Sequence, residues 1–90
     1  MLQPSYTRQF EKDFKKNIKR GRKPEKIKKV MSFLIDQKAL PLKYKDHKLI
    51  GNYLDRRECH IESDWLLIYK VSGNEIIFER TGSHSDLFKS

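Results

Sequence analysis

The 90-residue chain has a single cysteine, three prolines, four glycines and no long apolar run. Each scarcity excludes something. Cys59 alone cannot form an internal disulfide, which fits a reducing cytoplasm. The longest apolar stretch, Trp65-Leu66-Leu67-Ile68-Tyr69, is of strand length and far short of the ~20 residues that cross a bilayer. The start, Met1-Leu2-Gln3-Pro4, has no charged segment followed by an apolar one, so no signal peptide is expected. No glycine-rich phosphate loop is present, which argues against nucleoside-triphosphate chemistry. No G-x-S-x-G elbow surrounds Ser83, and Cys59 alternates toward an apolar strand face, so nucleophilic catalysis is disfavoured. The histidines lack close ligand spacing such as His-x-x-x-His, so no metal and no cofactor are expected.

Acidic residues are also outnumbered, 12 against 20 Lys and Arg, for a formal charge of +8. The excess is segregated. From Arg8 to Lys29 there are eleven Lys/Arg against Glu11, Asp13 and Glu25, whereas residues 30–90 are balanced. Such a block attracts polyanions: nucleic acid, an acidic protein or an anionic membrane surface.

What is present is well patterned. Ninety residues suffice for one domain, residues 1–90, with one modest core. Leu2–Tyr6 reads as a short edge strand, where Pro4 is tolerated. Thr7 is a plausible N-cap for a helix to about Arg20, with Phe10, Phe14 and Ile18 as an apolar stripe and Gly21 ending it. Pro24 opens a second helix whose Ile27, Val30, Met31, Leu34 and Ile35 fall on one face. The short link predicts an antiparallel helical hairpin. After Ala39-Leu40-Pro41-Leu42 the period becomes two. Lys48-Leu49-Ile50 leads into a Gly51-Asn52 turn signal. Arg56–Ile61 alternates, with Glu58 and His60 on one face. Trp65–Val71 reads as a central strand covered on both faces, and Ser72-Gly73-Asn74 as the turn into Glu75–Thr81. The expected class is α+β: an N-terminal strand and helical hairpin packed on an antiparallel sheet.

The chemistry concentrates at the end, in Arg80-Thr81-Gly82-Ser83-His84-Ser85-Asp86-Leu87-Phe88-Lys89-Ser90. Arg80 can hold a phosphate through paired donors, His84 can move a proton near neutral pH, and Phe88 can stack on a base. His47 and His60 add two imidazoles, the latter with Glu58 about 6.5–7 Å away along the same strand face. RNA cleavage needs little more, because the ribose 2′-hydroxyl is the nucleophile. A base, an acid and a cation beside the phosphate suffice. A solvated tail that packs Leu87 and Phe88 on the sheet is the plainer reading of the same residues.

Three blocks carry a resemblance: Lys45-Asp46-His47-Lys48-Leu49-Ile50-Gly51, then Arg57–Tyr69 with its R-x-x-H-x-x-x-D-W-x-L-I-Y string, then Glu79–Phe88 with R-x-G-x-H-x-x-L-F. In this order they resemble the YafQ-type toxins of bacterial type II toxin–antitoxin modules, within the RelE/ParE superfamily. The resemblance spans the whole chain and implies a RelE-like fold and a ribosome-dependent mRNA endonuclease held inactive by a small antitoxin. It also implies roles. His84 matches the family's general acid, and Asp64, His47 and His60 its remaining acid–base and orienting residues. Arg80 matches the arginine that stabilises phosphate charge, Phe88 the aromatic that positions RNA, and Trp65 a tryptophan associated with the site. Glu58 stands where a carboxylate is common. Trp65 also begins the most apolar strand, which favours a core role.

Together these give a metal-independent acid–base nuclease acting on mRNA in the ribosome. Lys12, Lys15, Lys16 and Lys19 would dock on RNA, and an acidic antitoxin would be the partner, with no membrane involved. A ParE-like toxin that binds a protein such as gyrase would have no need of three histidines plus Arg80. A non-catalytic RNA-binding module would leave His84 unused.

Overall fold

The computed structural model describes residues 1–49 and 55–88. In chain order the elements are β1 (Gln3–Tyr6), α1 (Arg8–Lys19), α2 (Pro24–Ile35), a 3-10 turn (Leu42–Tyr44), β2 (His47–Lys48), β3 (Arg57–Glu62), β4 (Trp65–Ser72), β5 (Glu75–Gly82) and α3 (His84–Leu87). The strands form one five-stranded sheet in the order β1-β5-β4-β3-β2. The α+β class holds. The Gly51-Asn52 turn signal and Ile50 lie outside the described residues.

One expectation is corrected: the sheet is mixed, not wholly antiparallel. β1 pairs with β5 in parallel, from Gln3 opposite Glu75 to Tyr6 opposite Phe78. A parallel pair needs a long crossover, and all the chain between β1 and β5 supplies it. As an edge strand, β1 accommodates Pro4.

The helices form where the capping residues allow. Thr7 Oγ1 accepts the Phe10 N–H at 2.9 Å and opens α1. Gly21, at φ 95°, turns the chain after Arg20, and Pro24 occupies the first turn of α2. α1 starts beside Phe78 and ends beside Asp86, whereas α2 starts beside Glu62 and ends beside Leu2. They therefore run antiparallel. Phe10, Ile27, Val30, Met31 and Leu34 pack with Cys59, Ile61, Trp65, Leu67, Tyr69, Ile76 and Phe78 into one core. The opposite sheet face carries a smaller cluster of Leu66, Ile68 and Leu87, with Leu49 against it. β4 is thus covered on both faces, as its unbroken apolar run requires.

Two polar residues of α1 are buried, Asp13 and Asn17. They lie where β5 runs on past the last β1 pair at Phe78. The Asp13 carboxylate accepts the Thr81 N–H at 3.1 Å, Asn17 Nδ2 donates to the Thr81 carbonyl at 3.4 Å, and Thr7 Oγ1 donates to the Glu79 carbonyl at 2.9 Å. Side chains of α1 and its cap therefore take over the ladder that β1 leaves unfinished, since buried backbone groups need partners.

Candidate active site

The register of the sheet assembles a row. His47 of β2 lies opposite Glu58 of β3, Glu58 opposite Ile68 of β4, and Ile68 opposite Arg80 of β5. One rung further, His60 lies opposite Leu66 and Leu66 opposite Gly82, just before Ser83 and His84. A shift between Ile68 and Tyr69 inserts Glu79 as an extra residue in β5. Without that bulge Arg80 would continue the alternation of Ile76 and Phe78 into the core; the bulge puts it on the rung of Ile68.

Glu58 is the floor of the row. Its side chain is only 6% exposed, and Oε1 lies 3.4 Å from His47 Nε2 and 3.5 Å from His60 Nε2. One buried carboxylate oxygen thus addresses two imidazoles, whose rings are 6.3 Å apart. His47 is held from its other side as well. Lys45 adopts a left-handed conformation, φ 48°, and its carbonyl accepts the His47 Nδ1–H at 2.7 Å. The segment bearing both is pinned by Asp46, which accepts the Tyr69 hydroxyl at 2.6 Å and pairs with Arg57 at 3.2 Å. Burial, chiefly, and then the Asp46 carboxylate push the Tyr69 hydroxyl well above its ordinary pKa, so it remains a donor to Asp46.

His84 faces this array from α3, its ring 5.8 Å from that of His60. Asp64 Oδ1 takes both the His84 backbone N–H, at 2.9 Å, and its Nδ1–H, at 2.7 Å. The backbone bond first, then the side-chain bond, hold the Asp64 carboxyl below its usual pKa, so it stays charged. With Nδ1 engaged, Nε2 is left for chemistry on a ring whose side chain is 55% exposed. Asp64 and His84 are nearly adjacent through the tight β3–β4 turn and the end of β5, twenty residues apart in sequence.

α3 itself is anchored. Ser83 Oγ accepts the Asp86 N–H and the Asp86 carboxylate accepts the Ser83 N–H, a reciprocal cap. Arg20, at the end of α1, grips the same carboxylate at 2.7 and 3.3 Å. The Arg20 bond is the main cause that holds Asp86 far below the usual carboxylate range. Gly82 makes the fold-back possible, because a Cβ there would meet Asp86 Oδ2 at 2.9 Å. Leu87 plugs into Leu66 and Ile68, and Phe88 stays 39% exposed beside the site.

Three sequence expectations change. Trp65 is fully buried, with Nε1 donating to Thr81 Oγ1 at 2.9 Å and Arg22 stacked on its ring, so it has no face for a base. The RNA-binding role that the resemblance implied for it gives way to the core role that its place at the start of the most apolar strand favoured. Glu58 is buried, so it serves the two histidines and does not meet RNA as a surface group. Arg80 is not an uncommitted cation: Nε and Nη2 contact Asp13 at 2.8 and 3.4 Å. Lys12, Lys15, Lys16 and Lys19 do converge, lining one shallow hollow along α1. The residues that sequence reasoning missed are Asp13, Asn17, Asp46, Arg20 and Asp86. Only the S-x-x-D capping pattern of Ser83 and Asp86 could have hinted at one of them, Asp86.

The order of these residues matches the family model described as "Bacterial toxin of type II toxin-antitoxin system, YafQ" over residues 2–89. The chain belongs to the YafQ toxin family. It is 44% identical over 84 residues to the mRNA interferase toxin YafQ of Escherichia coli K12, covering 92% of this chain and 91% of that one. Against the E. coli DinJ-YafQ complex the TM-score is 0.90 at 42% identity, with 98% and 99% of the two chains covered. A copper-bound mutant toxin from Helicobacter pylori superimposes with a TM-score of 0.93 at 38% identity, covering 98% of this chain and 100% of that one. Among the described residues no three His, Cys, Asp or Glu side chains are grouped to share an ion.

Proposed function

We propose that this chain is an endoribonuclease toxin that cleaves mRNA on the ribosome and is neutralised by an acidic antitoxin, acting in the cytoplasm. The observation that carries the reading is the pairing of His84 with Asp64 opposite the His47–Glu58–His60 array, on one sheet face with Arg80 on its rung. The E. coli relatives named as mRNA interferases, and the DinJ-YafQ complex, support the activity and the antitoxin.

In the proposed reaction the 2′-hydroxyl loses its proton to an imidazole of the His47/His60 pair, with Glu58 stabilising the imidazolium. The 2′-oxygen bonds to phosphorus, the bond from phosphorus to the 5′-oxygen breaks, and that oxygen takes a proton from His84 Nε2. Products are a 2′,3′-cyclic phosphate and a 5′-hydroxyl. Asp64 orients His84 rather than transferring the proton itself, because its oxygen is committed to Nδ1–H. Arg80 offsets charge on the phosphate, and Phe88 supports a neighbouring base. No step is routed through a metal. The reading extends to residues 1–90 as one toxin domain.

The test is cleavage mapping on a translating mRNA, with and without ribosomes, for wild type and His84→Ala. His84→Ala should fold normally and lose ~10²-fold or more in rate, the scale of a missing general acid. Undiminished cleavage by folded His84→Ala, or none by wild type, would remove this assignment.

A further inference from the structure

Beside the catalytic array a cleft of about 530 Å³ opens between α2, the 3-10 turn with Lys45 after it, and the end of β3. Lys26, Lys29, Lys43 and Lys45 line it, with His60, Ser63 and Glu62. Its size suits a nucleotide-sized ligand. Of the four cleft lysines Glu62 pairs only with Lys26, at 2.6 Å, and its other oxygen lies 3.8 Å from Arg22. Among the described residues no carboxylate lies within ion-pair distance of Lys29, Lys43 or Lys45. The cleft is therefore a concave concentration of positive charge in which three of the four lysines have no carboxylate partner among the described residues, although Lys43 also lies over the Tyr44 ring. Such a cleft draws in an anion.

The cleft is continuous with the catalytic row. His60 belongs to both, with Nε2 on Glu58 and its body on the cleft wall. Lys45 also belongs to both, its carbonyl holding His47 while its side chain lines the cleft. An RNA strand whose scissile phosphate lies over the histidines can run on into this cleft, because the two share His60 and Lys45. Lysine is a point-charge phosphate binder, which suits a backbone of any sequence.

We infer that the Lys26/Lys29/Lys43/Lys45 cleft is a backbone subsite that holds the single-stranded RNA flanking the cleaved linkage. This inference rests on the proposed nuclease reading. Its ligand chemistry is the RNA phosphate backbone, supplied by the substrate mRNA rather than by ribosomal RNA.

The probe is a fluorescent 2′-O-methyl RNA of mixed sequence, about ten nucleotides long, a length within single-strand site sizes and lacking the reactive hydroxyl. Binding is measured against salt for wild type, for Lys29→Gln/Lys43→Gln, and for Lys12→Gln/Lys15→Gln on α1. If both cleft lysines meet phosphates, the log–log salt slope of the first variant should fall by about 1.4, since each single-strand contact contributes about 0.7. The α1 variant should keep the wild-type slope. In cleavage of translating mRNA the cleft variant should raise KM with kcat retained, and should still sediment with ribosomes. An unchanged slope overturns the subsite, and so does an equal loss in the α1 variant. Loss of ribosome sedimentation with oligonucleotide binding intact would assign the cleft to ribosomal RNA and also overturn it. Failure of the nuclease reading is separate: wild type would then bind the oligonucleotide with the cleft-dependent slope yet never cut mRNA.

Discussion

At Arg80 one side chain serves two purposes, and its chemistry separates them. The guanidinium pairs with Asp13, whose side chain is 8% exposed, while the residue stands on the rung of Glu58 and His47. Arg80→Ala strands a buried carboxylate. Because Arg80 is itself partly exposed, the loss should fall at or below the low end of the ~3–5 kcal/mol typical of a broken buried pair. Adding Asp13→Asn should recover thermal stability and leave cleavage low, while Arg80→Lys should cleave poorly because an ammonium lacks the two-pronged fork. Denaturation and cleavage measured on the same preparations check this. Recovery of cleavage in the double variant would make Arg80 purely structural. At Trp65 the burial argues the opposite way. Trp65→Phe removes a buried N–H donor to Thr81, an expected loss of ~1–2 kcal/mol, with cleavage within a few-fold of wild type. A stable Trp65→Phe protein without activity would restore the tryptophan to the site.

At the scale of elements, α3 is four residues long and would not persist alone. It is held at both ends of its single turn, by Leu87 in the apolar pocket and by Asp86 in the grip of Arg20 and Ser83. His84 owes its position to that anchorage. The folded Asp86 carboxyl titrates below its unfolded value, mainly through Arg20. A depressed carboxyl contributes stability that is fully present above the unfolded pKa of ~3.9 and is lost as pH falls through the folded value. Asp86→Asn should therefore be less stable than wild type at pH 7, and the gap should close as pH drops below about 4. Urea midpoints across pH for the two proteins measure it. A gap independent of pH would mean that packing, not the charge, anchors α3.

Across the whole molecule, the lysine row of α1 and the lysine cleft beside His60 are separate surfaces with separate expected uses. Replacing Lys12, Lys15, Lys16 and Lys19 by Gln should flatten the salt dependence of ribosome association and leave the cut position unchanged, since counterion release scales with the contacts made. A moved cut site with an unchanged salt slope would mean that α1 reads the codon. An acidic antitoxin should associate fast at low salt and remove ribosome binding.

Much of this was legible in the chain before any fold was known. Periodicity marked α1, α2 and the both-faces-covered β4, and Thr7, Gly21 and Pro24 marked the helix ends, because these signals are local and depend on backbone geometry within a few residues. The motif strings named His47, His60, Asp64, Arg80 and His84. What they did not contain was pairing. β1 joins β5 in parallel because of a crossover that only the closed sheet reveals. Asp13 looked like one more charge on a basic helix, yet it completes the β5 edge and binds Arg80. The extra residue Glu79 breaks the alternation that the sequence of β5 suggests. Glu58 serves two histidines, and Asp64 serves His84, through contacts across turns and strands. Charge followed the same division. Residues 30–90 are neutral in sum, so composition does not mark Lys43 and Lys45 as part of a basic surface, and packing sets them beside Lys26 and Lys29. Composition and period are properties of a chain, whereas a site is a set of distances, and distances between remote residues exist only once the chain has closed on itself.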